Sequence, residues 1–242
     1  MKSPKFFILM TGCFLLAGSC LSISSGAENP GPSGMVLIPE GEYIAGSDDS
    51  ADERPKREIY LDAFYIDKFE VTQKEFAQVM GSNPSEFRGE DLPVDHVSWY
   101  EARDYCDKSA RRLPTEAEWE KAARSGTVSK FYWGTVQDDS YAWHWENSSR
   151  KTHPIGEKKP NGYGLYDISG NVWEWVADWY DSKYYQTRQS KNPLSPFNGK
   201  HRVLRGGSFM DKPEGLHVTR RNWDLPGVRF KNFGFRCVSD AK

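Results

Sequence analysis

Three stretches of the 242-residue chain carry apolar residues at helical spacing behind a hydroxyl residue with glutamate three places on. They are Phe76, Val79 and Met80 after Thr72 and Glu75; Ala102, Tyr105 and Cys106 after Ser98 and Glu101; and Trp119, Ala122 and Ala123 after Thr115 and Glu118. In each, the hydroxyl can accept the amide hydrogen of the third residue while the glutamate reaches back, a capping box that predicts a helix start. Gly81 and Gly126 stand where two of these helices would stop. Extended segments are predicted at Met35–Ile38, Tyr43–Ala45, Glu58–Val71 with gaps, Val203–Arg205 and Phe235–Val238. No period organises Ser129–Asn161. A few helices among short strands and long loops predict an α+β domain of high irregular content.

Composition adds a compartment. Lys2 and Lys5 precede an apolar run from Phe6 to Ala17, and a Ser/Gly/Pro-rich stretch follows from Ser24 to Gly34. This is the pattern of a signal peptide, too short to span a membrane comfortably. We read 1–27 as signal peptide, 28–34 as linker and 35–242 as one domain. Two processing readings stand side by side. Ala17-Gly18-Ser19-Cys20 forms an imperfect lipobox, which would acylate Cys20 and anchor the protein to a membrane. Ser25-Gly26-Ala27 offers a small-x-small site that would release it. Either way the domain is expected outside the cytoplasm, in the periplasm or cell envelope. A formal charge of −2 gives no whole-domain field for nucleic acid. Aromatic residues make up 14% of the chain, so the core is expected to rest on a few large rings. Beyond the leader only Cys106 and Cys237 remain, open to reading as a disulfide, as two buried thiols or as a catalytic pair.

Chemistry concentrates between Asp167 and Trp175. If Val172–Trp175 is extended, Trp173 and Trp175 share one face and Val172 and Glu174 the other. Asp167, a turn at Gly170 and Glu174 could gather oxygens around a hard cation such as calcium. The competing reading is a turn with two core tryptophans and a paired or exposed glutamate. The five histidines are scattered, and no pair shows the helical spacing of a zinc hydrolase. No nucleophile elbow, phosphate loop or dinucleotide fingerprint is present.

Several strings occur together in one order: Val97-Ser98-Trp99, Arg112 to Glu120, Pro160 to Asp167, Gly170 to Trp175, Arg205-Gly206-Gly207-Ser208-Phe209 and Gly234-Phe235-Arg236-Cys237. As a set, over roughly Met35 to Val238, the chain resembles the formylglycine-generating enzymes, or sulfatase-modifying factors. The resemblance implies a C-type-lectin-like fold and a structural disulfide between Cys106 and Cys237. It implies a structural calcium ion held by the side chains of Asp167 and Glu174 and the carbonyls of Gly170 and Val172. It places Trp173, Ser208 and Asn232 along the substrate cleft. Those enzymes oxidise a substrate cysteine with two cysteines of their own. The matching positions here carry Asp211 and Leu216, neither of which can form a thiolate. Copper is therefore not expected, because its monovalent form is held by soft ligands.

Three functions are compatible with that departure. One is a binding module whose retained cleft, including Asp211, takes a peptide, glycan or small ligand without the family's oxidase activity. Another is a divergent oxidase or oxygen-dependent modifying enzyme. The third is a structural component of an envelope secretion or motility complex.

Overall fold

The computed structural model describes Met1 and residues 32–241. The signal-peptide reading of 1–27, Cys20 and most of the 28–34 linker lie outside the described residues. Among the described residues, no helix is long and apolar enough to cross a membrane.

All three capping boxes form. Helix α1 spans Gln73–Met80, α2 Trp99–Lys108 and α3 Glu116–Arg124, each with the hydroxyl and the glutamate engaged reciprocally. Gly81 caps α1 in the left-handed conformation, at φ 76°. The end of α3 differs from expectation: Ser125 takes the left-handed cap, and Gly126 only continues the turn. Val79 is exposed, because the eight-residue α1 buries chiefly Phe76 and Gln73.

Strands β1 (Met35–Ile38), β2 (Gly41–Ala45), β3 (Arg57–Leu61) and β4 (Phe64–Asp67) precede the helices. After them come β5 (Trp173–Trp179), a short helix α4 (Tyr184–Thr187), β6 (Arg202–Arg205), a 3-10 turn (Pro213–Leu216), β7 (Arg221–Asp224), β8 (Phe233–Gly234) and β9 (Val238–Asp240). β4 lies between β1 and β9, β2 pairs with β3, and a four-stranded sheet runs in the order β7-β6-β5-β8. The expected single extension over Phe235–Val238 is instead two short strands, β8 and β9. The residues between them turn inward, with Phe235, Arg236 and Cys237 fully buried.

The four-stranded sheet divides the core. Trp173, Trp175 and Leu204 pack on one face with Val97, Tyr105 and Phe235. Val176 and Val203 pack on the other with Trp119, Ala122 and Ile168. This is the alternation expected of an extended Trp173–Trp175, now with both faces covered. Cys106 of α2 is joined to Cys237 by a disulfide, at a Cα–Cα distance of 5.8 Å. The bond ties a helix on the first face to the start of β9.

Candidate functional site

β6 is followed by Gly206-Gly207, both at positive φ. A Cβ on Gly207 would lie 2.5 Å from Leu216 and 2.7 Å from the Gly215 carbonyl. Glycine there lets the segment after Phe209 fold back over the end of β6. The fold-back places Asp211 opposite β5. Asp211 Oδ2 accepts the Trp173 indole N–H at 2.8 Å and the Ser208 hydroxyl at 2.5 Å. Ser208 in turn accepts from Asn232 Nδ2 at 3.1 Å and from the Met210 amide at 3.2 Å. So Trp173, Ser208, Asp211 and Asn232, distant in sequence, form one hydrogen-bonded string. Desolvation holds the Asp211 carboxyl above the usual carboxylate range, against the pull of its two donors.

This string lies beside an open cavity of about 430 Å³, lined by Trp173, Asp211, Glu214, Gly215, Arg220 and Asn222. Glu214 and Arg220 are exposed, and neither side chain makes a hydrogen bond or ion pair within the described residues. Leu216 is not part of the lining. It is fully buried against Phe131 and Ala142. Asp211 and Leu216 therefore differ in setting, one beside the cavity and one in the core. Arg221 is also turned away, paired through two nitrogens with Glu116 at 2.7 and 2.9 Å.

The second constellation lies around Glu174, on the opposite face of β5. Gly170 is at φ 89°, and a Cβ there would lie 2.4 Å from the Trp143 carbonyl, so the turn requires glycine. Glu174 is buried and fully engaged. It accepts the Trp119 indole at 2.7 Å and Arg236 through Nε (2.9 and 3.0 Å) and Nη2 (2.7 Å). Asp167 Oδ2 accepts the Gly156 amide at 2.7 Å, while its buried Oδ1 has no partner among the described residues. Glu70 bonds Asn171 Nδ2 at 2.6 Å and the Val172 amide at 3.2 Å. Three buried carboxyls thus share one guanidinium. Burial, together with the charge of Glu174, pushes Asp167 up to about 6 in spite of Arg236. Burial and the charges of Asp167 and Glu174 hold Glu70 well above the usual carboxylate range. Among the described residues, no three His, Cys, Asp or Glu side chains converge to hold a metal ion.

Residues 23–241 match the model of the sulfatase-modifying factor enzyme 1-like domain. The chain belongs to the sulfatase-modifying factor family. Its fold is the α+β, C-type-lectin-like fold of the formylglycine-generating enzyme type. The formylglycine-generating enzyme of Bos taurus is 32% identical over 292 residues, covering 90% of this chain and 78% of the bovine protein. Among solved structures, Treponema denticola variable protein 1 superposes with a TM-score of 0.80 at 32% identity, covering 86% of this chain and 95% of that one. PvdO from Pseudomonas aeruginosa gives 0.75 at 24% identity, covering 86% and 94%, a likeness of fold. Within this family frame, Arg236 of the Gly-Phe-Arg-Cys string has a visible structural role: it neutralises Glu174 in the core. Sequence reasoning missed Glu70 and Trp119 as parts of that cluster. Glu70 follows an extended run with no motif around it, and the indole of Trp119 reads only as helix core.

Proposed function

We propose that this sulfatase-modifying-factor domain is an exported binding module whose cleft takes a peptide, glycan or small ligand. In this reading it does not carry out cysteine oxidation. The observation behind the reading is the state of Asp211. At the position of a catalytic cysteine stands a carboxylate, anchored by Trp173 and Ser208 and facing a cavity. Its second oxygen, the Glu214 carboxylate and the Arg220 guanidinium are polar groups available to a ligand. Cys106 and Cys237 are bonded to each other, so they offer no thiolate for nucleophilic or redox work. Neither Asp211 nor Leu216 is a soft ligand for monovalent copper.

The test is direct. Mature protein incubated with a sulfatase-type cysteine peptide, oxygen and copper is expected to yield no aldehyde above a protein-free control. Aldehyde formation would reverse the reading and favour the divergent oxidase. Ligand binding is followed by intrinsic tryptophan fluorescence across a peptide and glycan panel, with Asp211→Ala expected to abolish any saturable response.

We also propose a structural calcium ion beside Asp167. The buried, unpartnered Oδ1 of Asp167 supports it. Asp167 with the carbonyls of Gly170 and Val172 would hold the ion, while Glu174, whose lone pairs are taken by Arg236 and Trp119, would contribute only its nearby charge. Exhaustive chelation is then expected to lower Tm and added calcium to restore it, since a ligand of the folded state stabilises by mass action. Asp167→Ala should melt low in both conditions. An unchanged Tm on chelation, with no metal in the purified protein, rejects the ion.

A further inference from the structure

Within the Asp211 cleft, the two oxygens of the carboxylate are unequally engaged. Oδ2 takes both side-chain donors, the Trp173 indole and the Ser208 hydroxyl. Oδ1 takes no hydrogen bond within the described residues, yet it is not sealed from solvent as Asp167 Oδ1 is. Gly215 keeps that side of the carboxylate uncovered. Its φ lies outside the left-handed region, so the backbone does not call for glycine there. Space does. A Cβ at Gly215 would stand 2.8 Å from Asp211 Cβ and 3.3 Å from Oδ1. Gly215 lines the same cavity as Asp211.

The cavity grades from a buried wall to an exposed mouth. Trp173 is buried and Asp211 half-buried, whereas Glu214 and Arg220 are exposed. Its lining carries two carboxylates and one guanidinium. Desolvation disfavours the charge on Asp211, and a neutral donor would leave that charge unbalanced. An ammonium offsets it and makes a charge-assisted hydrogen bond, roughly twice as strong as a neutral one. Arg220 opposes the ammonium only weakly, because an exposed charge is screened by water and salt.

The grading also selects the shape of the ligand. A slim, unbranched tether carries an ammonium past the mouth to a half-buried carboxylate, where a sugar ring bearing an amine is broader. A lysine side chain has this form, a compact charge with three donors on a flexible four-carbon stem. We propose that the cavity takes the ammonium of a lysine side chain in a peptide ligand, with one N–H donating to Asp211 Oδ1. This rests on the binding-module reading above and narrows it to lysine-bearing peptides.

The experiment titrates purified mature protein by calorimetry with a blocked glycine pentapeptide carrying a central lysine. Matched probes carry acetyl-lysine or norleucine at the centre, and glucosamine tests the ring amine. The lysine peptide is expected to saturate, with affinity lower by about tenfold or more for the two uncharged peptides. Asp211→Asn removes the charge and should lose the response. Gly215→Ala keeps the charge and sets a Cβ beside Oδ1, and it should weaken lysine binding without removing any donor or acceptor. It covers the case in which Asp211→Asn does not fold. The proposal is overturned if the lysine peptide does not saturate, if acetyl-lysine, norleucine or glucosamine binds as tightly, or if both variants bind like wild type. In that event, saturable binding of another peptide or glycan that depends on Asp211 leaves the binding-module reading standing. Aldehyde from the cysteine peptide removes both.

Discussion

Replacing Cys106 and Cys237 together by alanine is expected to lower the unfolding free energy by about 4–5 kcal/mol. The half-cystines are 131 residues apart. A cross-link closing so long a loop restricts the unfolded chain far more than a short one does, and the chain-entropy model puts the effect at about 5 kcal/mol. Local packing adds to it. Both cysteines are fully buried among Tyr105, Phe235 and Leu113, so alanine also leaves small voids. Alanine is a better probe than serine, whose hydroxyl would be stranded among those rings. For a domain of this size, Tm should fall by roughly 10–15 °C. Urea unfolding of wild type and the double variant measures the difference. Mass mapping without reductant should recover the two half-cystine peptides linked. Free thiols in exported protein, or equal midpoints, would refute the argument.

Arg236→Met should cost about 3–5 kcal/mol near neutral pH, because it strands a buried carboxylate in place of a pair. Arg236 serves Glu174 with Nε and Nη2, reaches the carbonyls of Asp67 and Lys68 with Nη1, and that of Tyr166 with Nη2. Without it, Glu70, Asp167 and Glu174 would face one another with no cation among them. The pH dependence separates this mechanism from simple loss of packing. Burial raises Asp167 to about 6 and holds Glu70 well above its ordinary range, so both lie above their unfolded values. A carboxyl so raised destabilises the fold when ionised. Its penalty is absent below the unfolded pKa of about 4 and complete above the folded pKa. The loss in Arg236→Met should therefore be larger at pH 8 than at pH 5, in chelator to remove any metal contribution. Arg236→Met with Glu174→Gln should recover part of it. A loss independent of pH would show that the stranded charges are not its cause.

The parts of the fold that sequence exposed were those written in local chemistry. Thr72, Ser98 and Thr115 mark helix starts because a cap is satisfied within four residues of the chain. The alternation from Trp173 to Trp175 was legible because successive side chains of any strand point to opposite faces. β7 was not, since its inward residue is Arg221, whose burial depends on Glu116 of α3 and not on its own hydropathy. Ser129–Asn161 has no period because side chains organise it. Asn147 bonds the His144 amide and the Ala142 carbonyl, and the Tyr132 hydroxyl reaches the carbonyls of Tyr141 and Lys159. At the site, the resemblance placed Trp173, Ser208, Asp211 and Asn232 along one cleft, and the fold brings them into one hydrogen-bonded string. It could not foretell that Leu216 turns into the core.

The sheet β1-β4-β9 carries both ends of the domain. Met35 pairs with Asp67 and Asp240 with Phe64, so the chain enters at one end of β4 and leaves at the other, one strand to either side. From standard strand rise and spacing, the two points are roughly 14 Å apart. A gap so small can be bridged by a short flexible linker. The domain is thereby suited to cut-and-join engineering: set into a surface loop of another protein, or closed end to end and reopened elsewhere, it would keep β4 paired on both edges.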